Sequence, residues 1–428
     1  MRSRYARRMT TQNPAGMDAR LHELAQRARS AQRSLATASG AIRAQVLEAM
    51  ASGIHANCDE LLAANELDME RAAELTRAQR DRLRLDAVRV AAMVSSIRDI
   101  ARQPDVVGQV VDGWVLGNGL RVRRVRVPLG VIGVIYENRP NVTSDATALA
   151  LYAGNAIMLR GSSLALNSNQ AIVAVLKGAI WEVGLEPDLV AMVDDTTRAG
   201  ALAFMQLGSA MDVLIPRGGP ELIDAVRQHA SVPTIIDGDG NCHVYVDRGA
   251  NLEMATAIIE NAKTQRPGVC NAMETLLVHV DVAGALLDRL DAVLSEVEFR
   301  GDETTRALCK RAVSATEDDY AREFLDLILA VKVVGSLDEA IDHIRRYSSG
   351  HSEAIITESY ANAQRFVHEV DAAAVLVNTS TRFVDGGQLG MGAEIGISTQ
   401  KLHARGPMGI EQLTTTKIVI EGEGQIRR

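Results

Sequence analysis

Residues 128–140 read PLGVIGVIYENRP. Val131–Tyr136 is a short β-branched run with the character of a strand. It ends in a polar loop, Glu137-Asn138-Arg139-Pro140, and a helix-like stretch, Thr143–Ala153, follows. Outward from this point the same rhythm continues. Strand-like runs recur at Ala156–Leu159, Leu189–Val193, Val213–Ile215 and Thr234–Ile236, with helix-like stretches at Ala165–Val183, Arg198–Leu207 and Pro220–His229 between them. Strands that alternate with helices in this way predict an α/β fold with a parallel, doubly wound sheet and right-handed crossovers. Such a sheet binds a nucleotide at the carboxyl ends of its strands.

Upstream, Asp18 to about Ile100 has helical periodicity, with Ile42, Val46, Met50 and Ile54 forming an apolar stripe. Asp59–Asp81 is rich in acids and arginines, as a solvated helix face would be. Trp114–Leu116, the turn Gly117-Asn118-Gly119 and Leu120–Val127 predict a β-hairpin, because Asn-Gly supplies the positive φ angles of a tight turn. Downstream of Asp237 a second α/β domain is expected. Its strands are Val244–Val246, Leu276–Val280, Leu329–Val334 and Val375–Asn378, and its helices lie near Met254–Lys263, Val282–Ser295 and Leu337–Arg346. Gly386, Gly387, Gly390, Gly392 and Gly396 mark a loop, and Leu413–Glu421 reads as a terminal strand.

The chain has 428 residues, enough for more than one domain, with 47% hydrophobic and 23% charged residues. Its formal net charge of -8 argues against a nucleic-acid partner, and the arginines of Leu120–Val127 lack the aromatic platforms that such a partner needs. No apolar run is long enough for a membrane span. Met1–Arg8 carries Arg2, Arg4, Arg7 and Arg8 without the apolar core of a signal peptide, so residues 1–16 are read as a disordered tail, with a transit-like arm as the alternative. The four cysteines, Cys58, Cys242, Cys270 and Cys309, form no CxxC pair. That spacing argues against a disulfide framework and a structural metal site, and for a reducing, cytoplasmic setting.

Cys270 lies in Arg266-Pro267-Gly268-Val269-Cys270-Asn271-Ala272. Pro and Gly set a turn whose amides converge, and a thiol at the start of a following helical turn would feel the positive end of the peptide dipoles. Its thiolate would be a nucleophile, with nearby N–H groups for an oxyanion. A small buried apolar residue is the structural alternative. Cys58 and Cys309 sit in helical patterns, and Cys242, in GDGNCH, is the competing cysteine. Asn138, at the end of the opening strand, could aim its amide at developing negative charge, or serve only as a turn residue.

PLGVIGVIYENRPN resembles the PxGVxGxIxPWNxP segment of the aldehyde dehydrogenase superfamily, and its ENRPN ending and one-residue shortening resemble the gamma-glutamyl phosphate reductase branch. RPGVCNAMETLLVH resembles the nucleophile segment of that branch. Ala153–Ser163, Ile236–Asp247 and Asn378–Thr415 match in the same order, so the likeness runs over roughly residues 20–425. The resemblance implies a Rossmann-type cofactor domain and a second α/β catalytic domain. It also implies NADPH-dependent reduction of L-glutamyl 5-phosphate to L-glutamate 5-semialdehyde, with release of phosphate, in proline synthesis. Under it Cys270 is the nucleophile and Asn138 the oxyanion donor, joined by the Cys270 backbone N–H. Arg160, Ser162 and Ser163 stand where the superfamily reads the adenosine ribose, and Arg plus hydroxyls without an acid suits the 2′-phosphate of NADP. Glu323, in EFLDLI, resembles the Glu that holds the nicotinamide ribose, with a surface acid as the alternative. The general-base Glu of hydrolytic members is missing from Ile235-Ile236-Asp237-Gly238-Asp239-Gly240, and Asp237 or Asp239 is left as a substitute. An enzyme that releases phosphate from a thioester site has no need to activate water.

Arg139 and Arg266 are candidates for binding the substrate, with Lys401 and Arg405 behind them. The domains implied are a cofactor domain (17–110 and 138–238), a catalytic domain (239–405) and a β element (111–137 and 406–428) that resembles the oligomerisation element of the superfamily. A homodimer or homotetramer follows from that likeness. Two rivals remain, a hydrolytic aldehyde dehydrogenase and a non-catalytic protein that kept the fold.

Overall fold

The computed structural model describes residues 14–427. The chain forms two compact units, one running to Ile235 and resuming at Leu413, the other spanning Ile236–Gln412. These divisions differ from the expected ones at 238/239 and 405/406. Val131–Tyr136 belongs to the sheet of the first unit rather than to the hairpin element, because both of its faces are buried between parallel neighbours. The Arg-rich segment lies outside the described residues, and a helix already begins at Pro14, ahead of the expected start near Met17.

The first unit opens with helices α1 (Pro14–Thr37), α2 (Gly40–Ala56), α3 (Cys58–Glu70), α4 (Arg77–Leu83) and α5 (Ala87–Ala101). Ser39 caps α2 by accepting from the Ile42 N–H, and Val46, Met50 and Ile54 are buried. Ile42 is the exception to the expected stripe. It sits in the first turn and is exposed. The acidic stretch is not all solvated either. Asp68 is fully buried and accepts from the backbone N–H groups of Asn167 (3.2 Å) and Ser168 (2.8 Å). Those donors lie in the first turn of α7 (Leu166–Glu182), where a carboxylate satisfies amides that a helix leaves open.

Next come β1 (Val110–Val115) and β2 (Arg121–Pro128), an antiparallel hairpin closed at Gly119, whose φ of +86° suits glycine. The terminal strand Thr414–Glu421 pairs antiparallel with the other edge of β2 and completes a three-stranded sheet. β3 (Val131–Tyr136), β4 (Ala156–Arg160), β5 (Val190–Met192) and β6 (Val213–Arg217) form a parallel sheet in the order β5-β4-β3-β6. α6 (Pro140–Tyr152), α7, α8 (Arg198–Met205) and α9 (Pro220–His229) connect and follow these strands. The fifth expected strand, Thr234–Ile236, is reduced to a single parallel bridge between Thr234 and Leu214. Pro233 precedes it and has no N–H to extend the ladder.

The second unit is built on a seven-stranded, wholly parallel sheet. Its strands are β7 (Cys242–Val246), β8 (Met273–His279), β9 (Glu298–Gly301), β10 (Val313–Ser314), β11 (Ile328–Val334), β12 (Ser352–Ile356) and β13 (Ala374–Val377), in the order β10-β9-β11-β8-β7-β12-β13. On one face Leu276, Val278, Val331 and Ile356 pack with Ile259 of α10 (Leu252–Thr264) and with Leu286 and Leu290 of α11 (Val280–Val293). On the other, Tyr245, Leu277 and Ile355 meet Ile341 and Ile344 of helix Leu337–Tyr347 and Phe366 of helix Tyr360–Glu369. Strands β9, β10 and β12 are not expected from the sequence.

Candidate active site

Cys270 lies in the turn that joins α10 to β8. No helix follows it, contrary to expectation. The chain passes directly into the buried strand β8, so no following helix directs its dipole at the thiol. Cys270 is partly buried. Gly240 packs on it so closely that a β-carbon at that position would sit 1.7 Å from the Cys270 carbonyl oxygen, so only glycine fits. The buried Cys242 thiol donates to the same carbonyl at 3.1 Å, and His351 Nδ1 lies 3.6 Å behind Cys242 Sγ. Burial pushes the Cys242 thiol well up, with Glu353 and Cys270 adding to the effect. Fully buried and donating to a carbonyl, Cys242 is less well placed than the partly buried Cys270 to act as a nucleophile.

Glu323 sits in the loop ahead of β11 and accepts from the Gly240 N–H at 2.9 Å. It is half-buried and engaged, rather than a surface acid, and it is tied to the residue that packs on Cys270. Arg266 is exposed in the same turn segment. Arg382 is not among the cations that the sequence singles out. Its Nε donates to Gln265 at 2.8 Å, on the cysteine turn. Burial lowers the Arg382 guanidinium from its ordinary value, Asp385, Cys270 and Cys242 hold it up, and Arg266 works against it. Through Gln265, Arg382 is tied to the segment that carries Arg266 and leads to Cys270, so two guanidiniums stand on that stretch, an arrangement that suits an anionic substrate. Lys401 and Arg405 are placed elsewhere. Both pair with Asp371, Arg405 at 2.8 Å. Asp237 accepts from the Ile397 N–H at 2.7 Å, Asp239 is exposed, and Ile236 is buried.

The first unit carries its own cluster at the carboxyl ends of β3, β4 and β6. Asn138 is partly buried in the β3–α6 loop, and the Ser162 hydroxyl donates to its Oδ1 at 3.0 Å. That contact occupies the carbonyl oxygen of the amide and leaves its Nδ2 group as the donor. Arg139 is the N-cap residue of α6, without a capping hydrogen bond from its side chain. Glu137 accepts from the Gly219 N–H at 3.2 Å, at the start of α9. Arg160, the last residue of β4, is 9% exposed. Its Nη2 donates to the Thr197 carbonyl at 2.8 Å, whereas its buried Nε has no partner among the described residues. Burial lowers its pKa, with Asp195 opposing. Ser163 is exposed at the start of the turn leading into α7.

The aldehyde dehydrogenase family model matches residues 2–309.

The chain belongs to the aldehyde dehydrogenase family.

Within that family, the gamma-glutamyl phosphate reductase of Heliobacterium modesticaldum is 53% identical over 405 residues, covering 94% of this chain and 97% of the relative. The gamma-glutamyl phosphate reductase of Enterococcus faecalis is 52% identical over 411 residues, covering 95% and 99%. The crystal structure of gamma-glutamyl phosphate reductase from Thermotoga maritima superposes with a TM-score of 0.92 at 48% identity, covering 95% of this chain and 100% of that one. The aldehyde dehydrogenase fold expected from the sequence is thereby shown. Among the described residues no helix is long and apolar enough to cross a membrane.

Proposed function

We propose that the chain reduces L-glutamyl 5-phosphate to L-glutamate 5-semialdehyde, releasing phosphate, through a thioester on Cys270. The observation that carries this reading is the cysteine turn itself. Cys270 is partly buried, its backbone packs against Gly240, Arg266 stands on the same turn segment, Arg382 is tied to that segment through Gln265, and the run Ile235–Gly240 lacks the water-activating Glu of hydrolytic members. The names of the relatives point to the same substrate.

The Cys270 thiolate attacks the acyl carbon, forming a C–S bond and a tetrahedral oxyanion. Asn138 Nδ2 and the Cys270 backbone N–H are the donors assigned to that oxyanion. The C–O bond to phosphate then breaks, and Arg266, Arg382 and Arg139 are the cations assigned to the phosphate and the substrate carboxylate. When bound, a nicotinamide cofactor would supply the hydride that reduces the thioester. The hemithioacetal collapses, the C–S bond breaks, and Cys270 leaves as the thiolate. The residues fit an NADP-type cofactor: the orphaned, desolvated Nε of Arg160 suits a 2′-phosphate, and Ser163, exposed in the loop that follows β4, is assigned to it as well. Glu323 is assigned to the nicotinamide ribose. The hydroxyl of Ser162 is already engaged by Asn138, so its role shifts from the cofactor to orienting the amide. The proposed reaction belongs to proline synthesis and runs in the cytoplasm.

The reverse reaction tests it. Glutamate semialdehyde and NADP are supplied with and without phosphate, and the reduced cofactor is followed by absorbance. Phosphate-dependent reduction that Cys270→Ala abolishes is expected. Turnover without phosphate would make the chain a hydrolytic aldehyde dehydrogenase, and no turnover by folded, NADP-binding protein would make it non-catalytic.

A further inference from the structure

One buried ion pair brackets the cysteine turn. Lys263 lies in the last turn of α10, just before the turn, and Glu274 is the second residue of β8, just after it. Both side chains are fully buried, with Nζ 2.6 Å from Oε2. The other carboxylate oxygen, Oε1, accepts from the Leu325 N–H at 3.1 Å. Leu325 has a φ of +55°, a left-handed conformation that a branched side chain rarely adopts and that a fixed backbone contact helps to hold. Leu325 in turn closes the loop that carries Glu323, whose carboxylate holds the Gly240 N–H, and Gly240 packs on Cys270. A continuous set of contacts therefore runs from the ion pair to the thiol-bearing turn by two routes, along the chain and through the Glu323 loop.

Removing two charges from water is unfavourable, and apolar residues of similar volume often serve a core equally well or better. The desolvation is felt here, since burial pushes the Glu274 carboxyl up to about 7 and the Lys263 ammonium down, while each partner opposes the shift of the other. What the pair supplies that apolar residues would not is direction: a fixed distance across the turn and an acceptor aimed at one N–H. We infer that Lys263 and Glu274 are positioning residues, setting the register of the Cys270 turn and of the Glu323 loop together. The inference rests on the assignment of Cys270 as the nucleophile.

The test is the double variant Lys263→Met/Glu274→Leu beside Lys263→Arg, with Cys270→Ala as the control. Thermal unfolding, kcat and KM are measured, and the rate of Cys270 alkylation by iodoacetamide is mapped by peptide mass spectrometry. The double variant is expected to unfold cooperatively near the wild-type temperature, with kcat and the alkylation rate reduced on the order of ten- to a hundredfold and KM little changed. Lys263→Arg, which keeps the charge, is expected to retain most of both rates. A folded double variant with wild-type turnover and alkylation overturns the inference. So does a double variant that no longer folds, because the pair would then hold the core rather than the site. Wild-type turnover by Cys270→Ala would bring down the nucleophile assignment itself, an outcome readable separately from the other two.

Discussion

Asn138 has a single carbonyl oxygen, and Ser162 occupies it at 3.0 Å. The two residues therefore have separable effects. Asn138→Ala removes the proposed oxyanion donor, worth about 3 kcal/mol, and is expected to lower kcat on the order of a hundredfold or more. Ser162→Ala leaves the amide in place but unoriented, and a net hydrogen bond of about 1 kcal/mol predicts a five- to tenfold lower kcat. The KM for NADPH separates the roles. If Ser162 instead contacted the 2′-phosphate, its loss would raise that KM and spare kcat. At this scale Cys270 and Asn138 stand out in the sequence as candidates because both lie in turns between strongly patterned elements. Asp68 and Lys263 were not legible. A charged residue in a helical pattern reads as solvated, and only a distant partner, Ser168 or Glu274, makes its burial tolerable.

Among elements, legibility follows how closely burial tracks polarity. β8 and β11 were readable as strands, because their residues are mostly apolar and buried on both faces. β12 begins Ser352-Glu353, two polar residues that are fully buried, and its pattern does not announce a strand. Glu353 lies 3.0 Å from His243 Nδ1, and the His243 ring stacks edge-on with His343, their centroids 5.6 Å apart. Tyr320 and Tyr347 pack on the other sides of His343. Burial, aided by His243, Lys332 and Arg346, lowers the pKa of His343 from 6.5 to about 3. Between those values the unfolded chain binds a proton that the folded imidazole does not. Stability from this group is thus present above 6.5 and lost as the pH falls, by about 1.4 kcal/mol per pH unit inside the window. His351, lowered to about 4 by burial, acts in the same direction. Urea unfolding across this range should show a shallower pH slope for His343→Phe than for the wild type. Equal slopes would mean that the imidazole is protonated in the folded protein.

For the whole molecule, the three-stranded sheet poses a question of covering. β1 and the terminal strand are its edges, and Trp114, Val115, Ile418 and Ile420 are exposed on them. Its arginines are largely answered within the sheet, Arg124 by Asp112 at 2.6 Å and Arg123 by Glu421 at 2.8 Å, which leaves apolar side chains as the unanswered feature. Unpaired edges with apolar side chains are sites of further strand pairing or burial. A second copy of this chain is the proposed partner, giving a homodimer or homotetramer. Ile418 and Ile420 alternate onto one face of the terminal strand, opposite Arg124 and Val122 of β2, so two charges placed there act on one surface. Light scattering at micromolar concentration is expected to give a multiple of the 46.1 kDa chain mass for the wild type, and a shift towards the single-chain mass for Ile418→Lys/Ile420→Lys. The substitutions lie on exposed positions, so cooperative unfolding should persist. A wild-type monomer would refute self-association altogether. A doubly substituted protein that keeps the wild-type mass would move the contact away from this sheet, leaving its apolar edges to some other purpose.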